Sequence, residues 1–553
     1  CRGHRSCSGR RGVPPAARRL LGLRAGRQRT GLEPERPRCP EVWPAPPRRM
    51  LNLSRASLDD AVKAAVTFSD RTLLRGTSVF KVLRRGGSVL RNSSGSETTY
   101  AMSRFVKQID VFISHNWSTP KSVKFRALAF TFNLLWCLSF SLILGVIFMT
   151  LQAFGLLPTL DMTYNNGHRY KSSPYNMLVG TSFFLVTIFT WHDLCALLGL
   201  LGPTAFLDKT CIDQVDEERK LKGISSLAAF IRHSNTMVVV YSDTYLCKLW
   251  TVYELACFMT LKPTYRLVVV PIILADVVFM GVILFLIARV LDMISNMNLV
   301  HSALGIESFG VATYVVYTAL VVPPGTMFCK IWRKWMNELS HIYEQATSFS
   351  VYRAECFHEG DRPLLYASIA KFMRAIGLVP KDAPEEAALA AFDKKVQLEV
   401  PYALQVSIGR VGIRYRHACV MFLPFFLDLG DSVGIELNEG ETARHLLLRL
   451  VLGLTSYLAM YPVLMALVSC LMWASLTLQR RASIWASYVA TATLVVVLAV
   501  LWHIADGLLR SWAEQSAAGL CASLATSAAL FLLAACLYRP VSRRAGQASP
   551  PAA

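Results

Sequence analysis

Ala205–Met259 reads AFLDKTCIDQVDEERKLKGISSLAAFIRHSNTMVVVYSDTYLCKLWTVYELACFM. It is the longest stretch with the pattern of a water-soluble α/β unit, and apolar stretches flank it on both sides. Thr236–Tyr241 is a short run rich in β-branched residues, as expected of a buried strand. Gly223 precedes Ile224, Leu227, Phe230 and Ile231, which recur at helical spacing. Leu249, Val252, Tyr253 and Phe258 mark the apolar face of a second helix. The expected order is a short strand, a loop of acidic and basic residues, a helix, a strand and a helix.

Phe206-Leu207-Asp208, Gly223-Ile224, Ser234, Tyr241-Ser242 and the closing Leu249-Trp250-Thr251-Val252-Tyr253-Glu254-Leu255 resemble the core of a TIR (Toll/interleukin-1 receptor) domain of the plant-like type. That family carries a Trp-Cys-x-x-Glu-Leu element on its third helix; here Thr251 stands in place of the Cys. Upstream, Ile109–His115 is similar to the family's first strand, and downstream Leu267–Ile273 is similar to its fourth. About 90 residues, most of them apolar, separate His115 from Phe206. Either two membrane spans are inserted into the domain, or the chain is similar to a reduced relative. With spans there, the first helix has no room as an ordinary amphipathic element. The split layout resembles that of multi-pass proteins of unicellular algae, from which no function carries over.

The resemblance implies a cytoplasmic TIR-like α/β domain, a parallel sheet flanked by helices. It also implies contacts with other TIR-like domains or adaptor proteins, and homo-oligomers. In enzymatic members the Glu of the third-helix element acts on the ribose of NAD as the nicotinamide–ribose bond breaks, and Glu254 matches it. A carboxylate suits that role, because negative charge stabilises an oxocarbenium-like transition state. The ligand pocket would use Ser114, His115, Asn116 and Trp117 after the first strand, with Asp208 and Trp250. NAD would be a substrate, and no cofactor is implied. The competing reading makes Glu254 a surface carboxylate paired with Lys or Arg in a pure interaction module.

Composition points to a membrane protein. The 553 residues are 53% hydrophobic with mean hydropathy +0.38, too apolar for a soluble enzyme. Of the formal charge of +21, residues 1–49 supply +10 through 13 Arg and 3 Glu. That basic segment has little periodicity and reads as disordered. Met50 is the first Met and regular patterning starts after it, so residues 1–49 are expected not to belong to the native protein; an organelle-targeting or membrane-surface tail is the alternative. The 14 cysteines are scattered without a C-x-x-C pair, which fits reduced thiols rather than a zinc ribbon or a disulfide framework. Neither nucleic-acid binding nor a metal is indicated.

The chain divides into residues 1–49, a polar region 50–106, the first strand within 107–118, and two spans within 127–201. The rest of the α/β domain at 203–273 follows, then two spans within 275–328, a helical soluble region 330–417, about three spans within 445–537 and a tail 538–553. The spans read as Ala127–Leu151, Asn176–Trp191, Ala275–Val290, Ser308–Met327, His445–Leu471, Ala482–His503 and Ala517–Leu537. Lys121, Lys124 and Arg126 hold the first span's start inside, and Lys330, Arg333 and Lys334 return the chain there. The loops Asp161–Ser173 and Asp292–Gly305 are then exoplasmic. Cys419–Leu427 is too short to span and reads as an interfacial or re-entrant segment. In the soluble region, helices are expected over Ile331–Tyr343, Leu364–Ile376 and from Pro384 to about Leu398, where Pro401 limits the last.

Three other groups carry possible chemistry. Asp208 through Lys222 is densely charged, which suits either partner contacts or a solvated face of i,i+4 ion pairs. Cys356, His358, Glu359 and Asp361 offer ligand-type side chains without a second cluster at metal spacing, and read as a polar connector. Asp276, His192, Asp193 and His503 lie in or beside spans, where ionisable groups suggest an ion path. Three function classes follow: a membrane-anchored signalling or scaffold protein, a membrane-bound NAD-cleaving hydrolase, and a channel or transporter. The membrane and the ligand are not legible.

Overall fold

The computed structural model describes residues 66–68, 70–163, 169–262, 266–295, 311–356, 358–479, 489, 493, 511–513 and 515–539. The basic segment 1–49, Met50 and, but for residues 489 and 493, the span expected at 482–503 lie outside them.

Six strands form one sheet: β1 (Arg75–Ser78), β2 (Arg104–Phe105), β3 (Ile109–His115), β6 (Thr204–Phe206), β7 (Ser234–Tyr241) and β8 (Leu267–Pro271), in the order β2-β1-β6-β3-β7-β8. A separate hairpin pairs β4 (Leu160–Thr163) with β5 (Arg169–Ser172). β3 runs parallel to β6, with Val111 opposite Ala205, and to β7, with Val111 opposite Thr236. The first strand is thus central, although its neighbour β6 lies far along the chain. The sheet is mixed, which corrects the expected parallel one: β1 is antiparallel to both β6 and β2. β1 lies between β2 and β6, and because both pairings are antiparallel neither needs a crossover in the same direction; the chain leaves β1 directly into the Val79–Gly87 helix. The region read as merely polar, 50–106, thereby supplies two strands of the sheet.

The period of two along β3, β6 and β7 sends alternate side chains to opposite faces. Phe112 stacks on Phe206 at 4.6 Å, and Phe206 meets Phe230 at 4.4 Å on one face. On the other, Val111, Ile113, Ala205, Leu207, Val238 and Val240 share a core with Val79, Val82 and Leu83, and with Ala127 and Leu128.

Ala127 and Leu128 belong to a single helix, Lys121–Ala153, of 33 residues. At 1.5 Å per residue it is about 50 Å long. A bilayer core takes about 30 Å of that, so one helix can both cover the sheet and extend beyond it. The first turns of this long apolar helix stand where an ordinary amphipathic first helix had no room. At the other edge β8 passes without a loop into the Ile272–Ser295 helix. Arg126 joins the two emerging helices through a double contact with Asp276, Nε to Oδ1 at 2.5 Å and Nη2 to Oδ2 at 2.8 Å.

The helical region after residue 330 docks on the sheet. Its helices are Val311–Thr347, Arg362–Ala375 and Glu385–Ile408. The last runs on through Pro401, against expectation. The proline costs one backbone hydrogen bond, and the helix persists because Pro401 and Leu404 are buried and Ser407 Oγ accepts the N–H of Val269 on edge strand β8 at 2.9 Å.

Among the described residues, five helices are long and apolar enough to cross a membrane: Lys121–Ala153, Asn176–Leu197, Ile272–Ile294, Ala443–Leu476 and Ala517–Leu537. Tyr415–Met421 and Leu423–Asn438, bent by 61°, pass the same test as a pair. That pair runs from the sheet side, where Arg414 bonds Val406, to the far side, where Lys171 meets Glu439 at 3.9 Å. The sequence reading took part of it, Cys419–Leu427, as too short to span, because Asp428 and Asp431 end its apolar run. The last described helix ends back on the sheet side, with the Tyr538 ring 5.4 Å from Tyr415.

Candidate functional site

Parallel sheets expose ligand sites at the carboxyl ends of their strands. Here β3 and β6 end side by side, and the Leu249–Leu261 helix closes over them. Ser114, the sixth residue of β3, is buried, and its hydroxyl donates to Glu254 Oε2 at 2.5 Å. The Tyr245 hydroxyl lies 2.7 Å from Ser114 Oγ. With the serine proton spent on Glu254, Tyr245 donates to the serine, and the three groups form one chain of hydrogen bonds.

Burial pushes the Glu254 carboxyl up to about 8; the Ser114 hydrogen bond opposes the rise, and the nearby Asp208 adds to it. Glu254 therefore holds a proton at neutral pH. Burial also raises Asp208, against the Trp117 hydrogen bond and the Lys209 N–H. Burial, with Lys124 nearby, holds His115 down at about 3, so its ring is neutral.

Trp117 organises the second half of the site. Its Nε1 donates to Asp208 Oδ2 at 2.8 Å, and its ring meets His115 edge-on at 4.3 Å. The ammonium of Lys124, fully buried, lies 4.8 Å from the centre of the same ring, and that of Lys209 lies 5.9 Å from it. Lys209 is also anchored on Asn92, through the carbonyl at 2.9 Å and Oδ1 at 2.7 Å. Sequence reasoning missed both lysines. Lys124 looks like a charge flanking a span, and Lys209 like part of a solvated run.

Of the expected site residues, Ser114, His115, Trp117, Asp208 and Glu254 come together. Asn116 turns away, its Nδ2 donating to Thr244 Oγ1 at 2.9 Å. Trp250 packs on Tyr253, with rings 6.0 Å apart. Thr251, in place of the family's Cys, bridges the carbonyls of Tyr245 (2.5 Å) and Lys248 (2.7 Å), which fixes the loop carrying Tyr245 to the helix start. Tyr245 has no signal in the sequence beyond its place in a loop.

The charged run Asp208–Lys222 is partly helical, over Asp208–Cys211 and Glu217–Ser225. It carries surface pairs, Lys220–Glu217 at 3.0 Å and Lys222–Glu218 at 2.6 Å. Glu359 is bound by Arg362 at 2.6 Å, and no group of three His, Cys, Asp or Glu placed to hold a metal occurs among the described residues. Asp276 is bound by Arg126, and His192 Nδ1 lies 3.1 Å from Asn133 Nδ2. Asp193 accepts the Arg85 N–H at 3.2 Å. His503 lies outside the described residues.

Compared with known families, residues 205–278 match the TIR domain. The chain thus contains a TIR domain, with a mixed sheet flanked by helices, which suggests a signalling or protein-interaction function. The match begins at β6, so the segment carrying Ser114–Trp117 lies outside it. No curated protein and no solved structure matches the chain.

Proposed function

We propose that the chain is a membrane-anchored signalling protein acting through contacts of its TIR domain with other TIR-like domains or adaptors, with that domain on the cytoplasmic side. One observation carries this reading. β3 leads through a short turn, and β8 with no loop at all, into helices long and apolar enough to cross a membrane. A displacement of either helix is then a displacement of a sheet strand, and Arg126–Asp276 makes the two move together. Val215 and Leu221, 54% and 65% exposed, offer apolar contact on the charged surface near Asp208. Two differently tagged full-length copies are expected to co-purify from detergent-extracted membranes, and Leu221→Glu to weaken that association several-fold. A chain that leaves membranes in alkaline carbonate, or that never pairs, overturns the reading.

A second reading, NAD cleavage, is favoured by the Ser114–Glu254 contact at the carboxyl edge of the sheet. The reaction needs a carboxylate, whereas the site keeps Glu254 protonated up to about 8. Nicotinamide release should then rise with pH through that value and vanish in Glu254→Gln. A folded wild type that releases none at pH 9 leaves the interaction reading alone.

A further inference from the structure

Arg414, Arg416 and His417 meet at the sheet-side end of the apolar helices, where the chain enters the Tyr415–Met421 helix. The carbonyl of Val406 holds Arg414, with Nε at 3.2 Å and Nη2 at 2.5 Å. Arg416 Nε lies 3.2 Å from His417 Nε2 and donates to it, so the proton of the neutral ring sits on Nδ1. That nitrogen is buried without a partner, in a residue only 4% exposed, and the ring packs 5.0 Å from Phe130 of the first apolar helix. Each guanidinium is thus oriented through one edge, leaving Nη1 of Arg414 and both Nη groups of Arg416 to point elsewhere.

Neither arginine pairs with a carboxylate among the described residues. The contrast with other arginines around the helices is sharp: Arg126 holds Asp276, Arg289 holds Asp428 and Arg449 holds Glu436. Two neighbouring cations beside a low-dielectric layer repel each other and lack a counter-charge. Planar guanidinium forks match the oxygens of a phosphate. The surroundings suit a headgroup region. Tyr415, 37% exposed, meets Tyr538 edge-on in the position of an interfacial aromatic belt. Exposed Arg539 follows Tyr538, and exposed Lys334 precedes Trp335, whose Nε1 donates to the Gly412 carbonyl at 2.9 Å.

We propose that Arg414 and Arg416 form a binding site for a phosphate group, presented by an anionic lipid on the sheet side of the membrane. This rests on the reading that the apolar helices cross a membrane. The test uses the full chain in uncharged detergent, titrated with dioctanoyl phosphatidic acid, dioctanoyl phosphatidylcholine and inorganic phosphate. Phosphatidic acid is expected to bind at least tenfold more tightly than either of the others. Arg416→Gln, at an exposed position, should weaken it at least tenfold while the protein stays monodisperse. Arg416→Lys should recover part of the loss, because an ammonium supplies charge without the fork. Equal binding of inorganic phosphate assigns the site to a free anion and overturns the lipid. Equal binding of phosphatidylcholine, or unchanged binding by Arg416→Gln, overturns the site itself. Binding in detergent does not depend on membrane anchoring, which alkaline extraction tests separately.

Discussion

Ser114 Oγ stands 2.5 Å from Glu254 Oε2, although 140 residues of chain separate them. Two long apolar helices lie in that interval, and both start and finish their excursion so that β3 can return beside β6 and β7. The contact closes the domain across its insertion. It is also a titratable one, which makes it measurable.

Glu254 stays protonated in the fold up to about 8, above its ordinary value of 4.5. Between these values the folded chain keeps a proton that the unfolded chain releases. Stability from this group is therefore full below 4.5, falls as pH rises toward 8 and is flat beyond. The melting temperature of the wild type should drop between pH 5.5 and 8.5. Glu254→Gln keeps an acceptor for Ser114 and should lose most of that slope. Parallel profiles for the two proteins would show that Glu254 is ionised throughout.

Much of this site was legible. Ile109–His115 shows its strand through its likeness to the first strand of TIR domains, and Glu254 through the Trp-x-x-x-Glu-Leu pattern. β1 was not legible, because Arg75–Ser78 is four residues with no apolar period, and its place comes from pairing with Thr204 and Ala205. Lys124 was misread for a physical reason: a lysine before an apolar run normally seeks water, and here Trp117 receives it instead. The bent pair escaped because neither Tyr415–Met421 nor Leu423–Asn438 is long enough alone, and Asp428 and Asp431 interrupt its apolar pattern.

The Arg126–Asp276 pair should act as a clamp between the helices leaving β3 and β8. Both side chains are about one-third exposed (33% and 35%), so solvent screening limits the pair to about 0.5–1 kcal/mol. Asp276→Asn is expected to lower the melting temperature by a few degrees. The exchange Arg126→Asp with Asp276→Arg should recover part of it, as a double-mutant cycle would show. Additive losses would mean that the two residues act independently.

Asp431 accepts from the backbone N–H groups of Asn176 (2.9 Å) and Met177 (2.8 Å) and from Gln152 Nε2 (2.5 Å). This joins the bent pair to the first two apolar helices. Removing the acceptor leaves buried donors unmet, at about 1–3 kcal/mol each. Asp431→Ala should therefore sharply reduce the monodisperse fraction in size-exclusion chromatography, and Asp431→Asn should reduce it less. If Ala and Asn variants behave like the wild type, Asp431 is not a structural cap.

The position of Tyr538 makes a claim about sidedness. Its ring faces Tyr415, and its hydroxyl donates to the Pro462 carbonyl at 2.8 Å. Tyr415 follows directly on Arg414, which is bonded to the helix that covers β8. Residue 539 should therefore lie on the same side of the membrane as the sheet. The seven spans read from the sequence put it on the other side, and counting the bent pair as a crossing reverses that. A membrane-impermeant maleimide applied to sealed vesicles decides the matter. Exposed Cys247 marks the sheet side, and an engineered Leu156→Cys marks the far side. Arg539→Cys should be labelled or protected together with Cys247. Labelling in step with Leu156→Cys would mean that the bent pair does not cross, and would restore the seven-span arrangement.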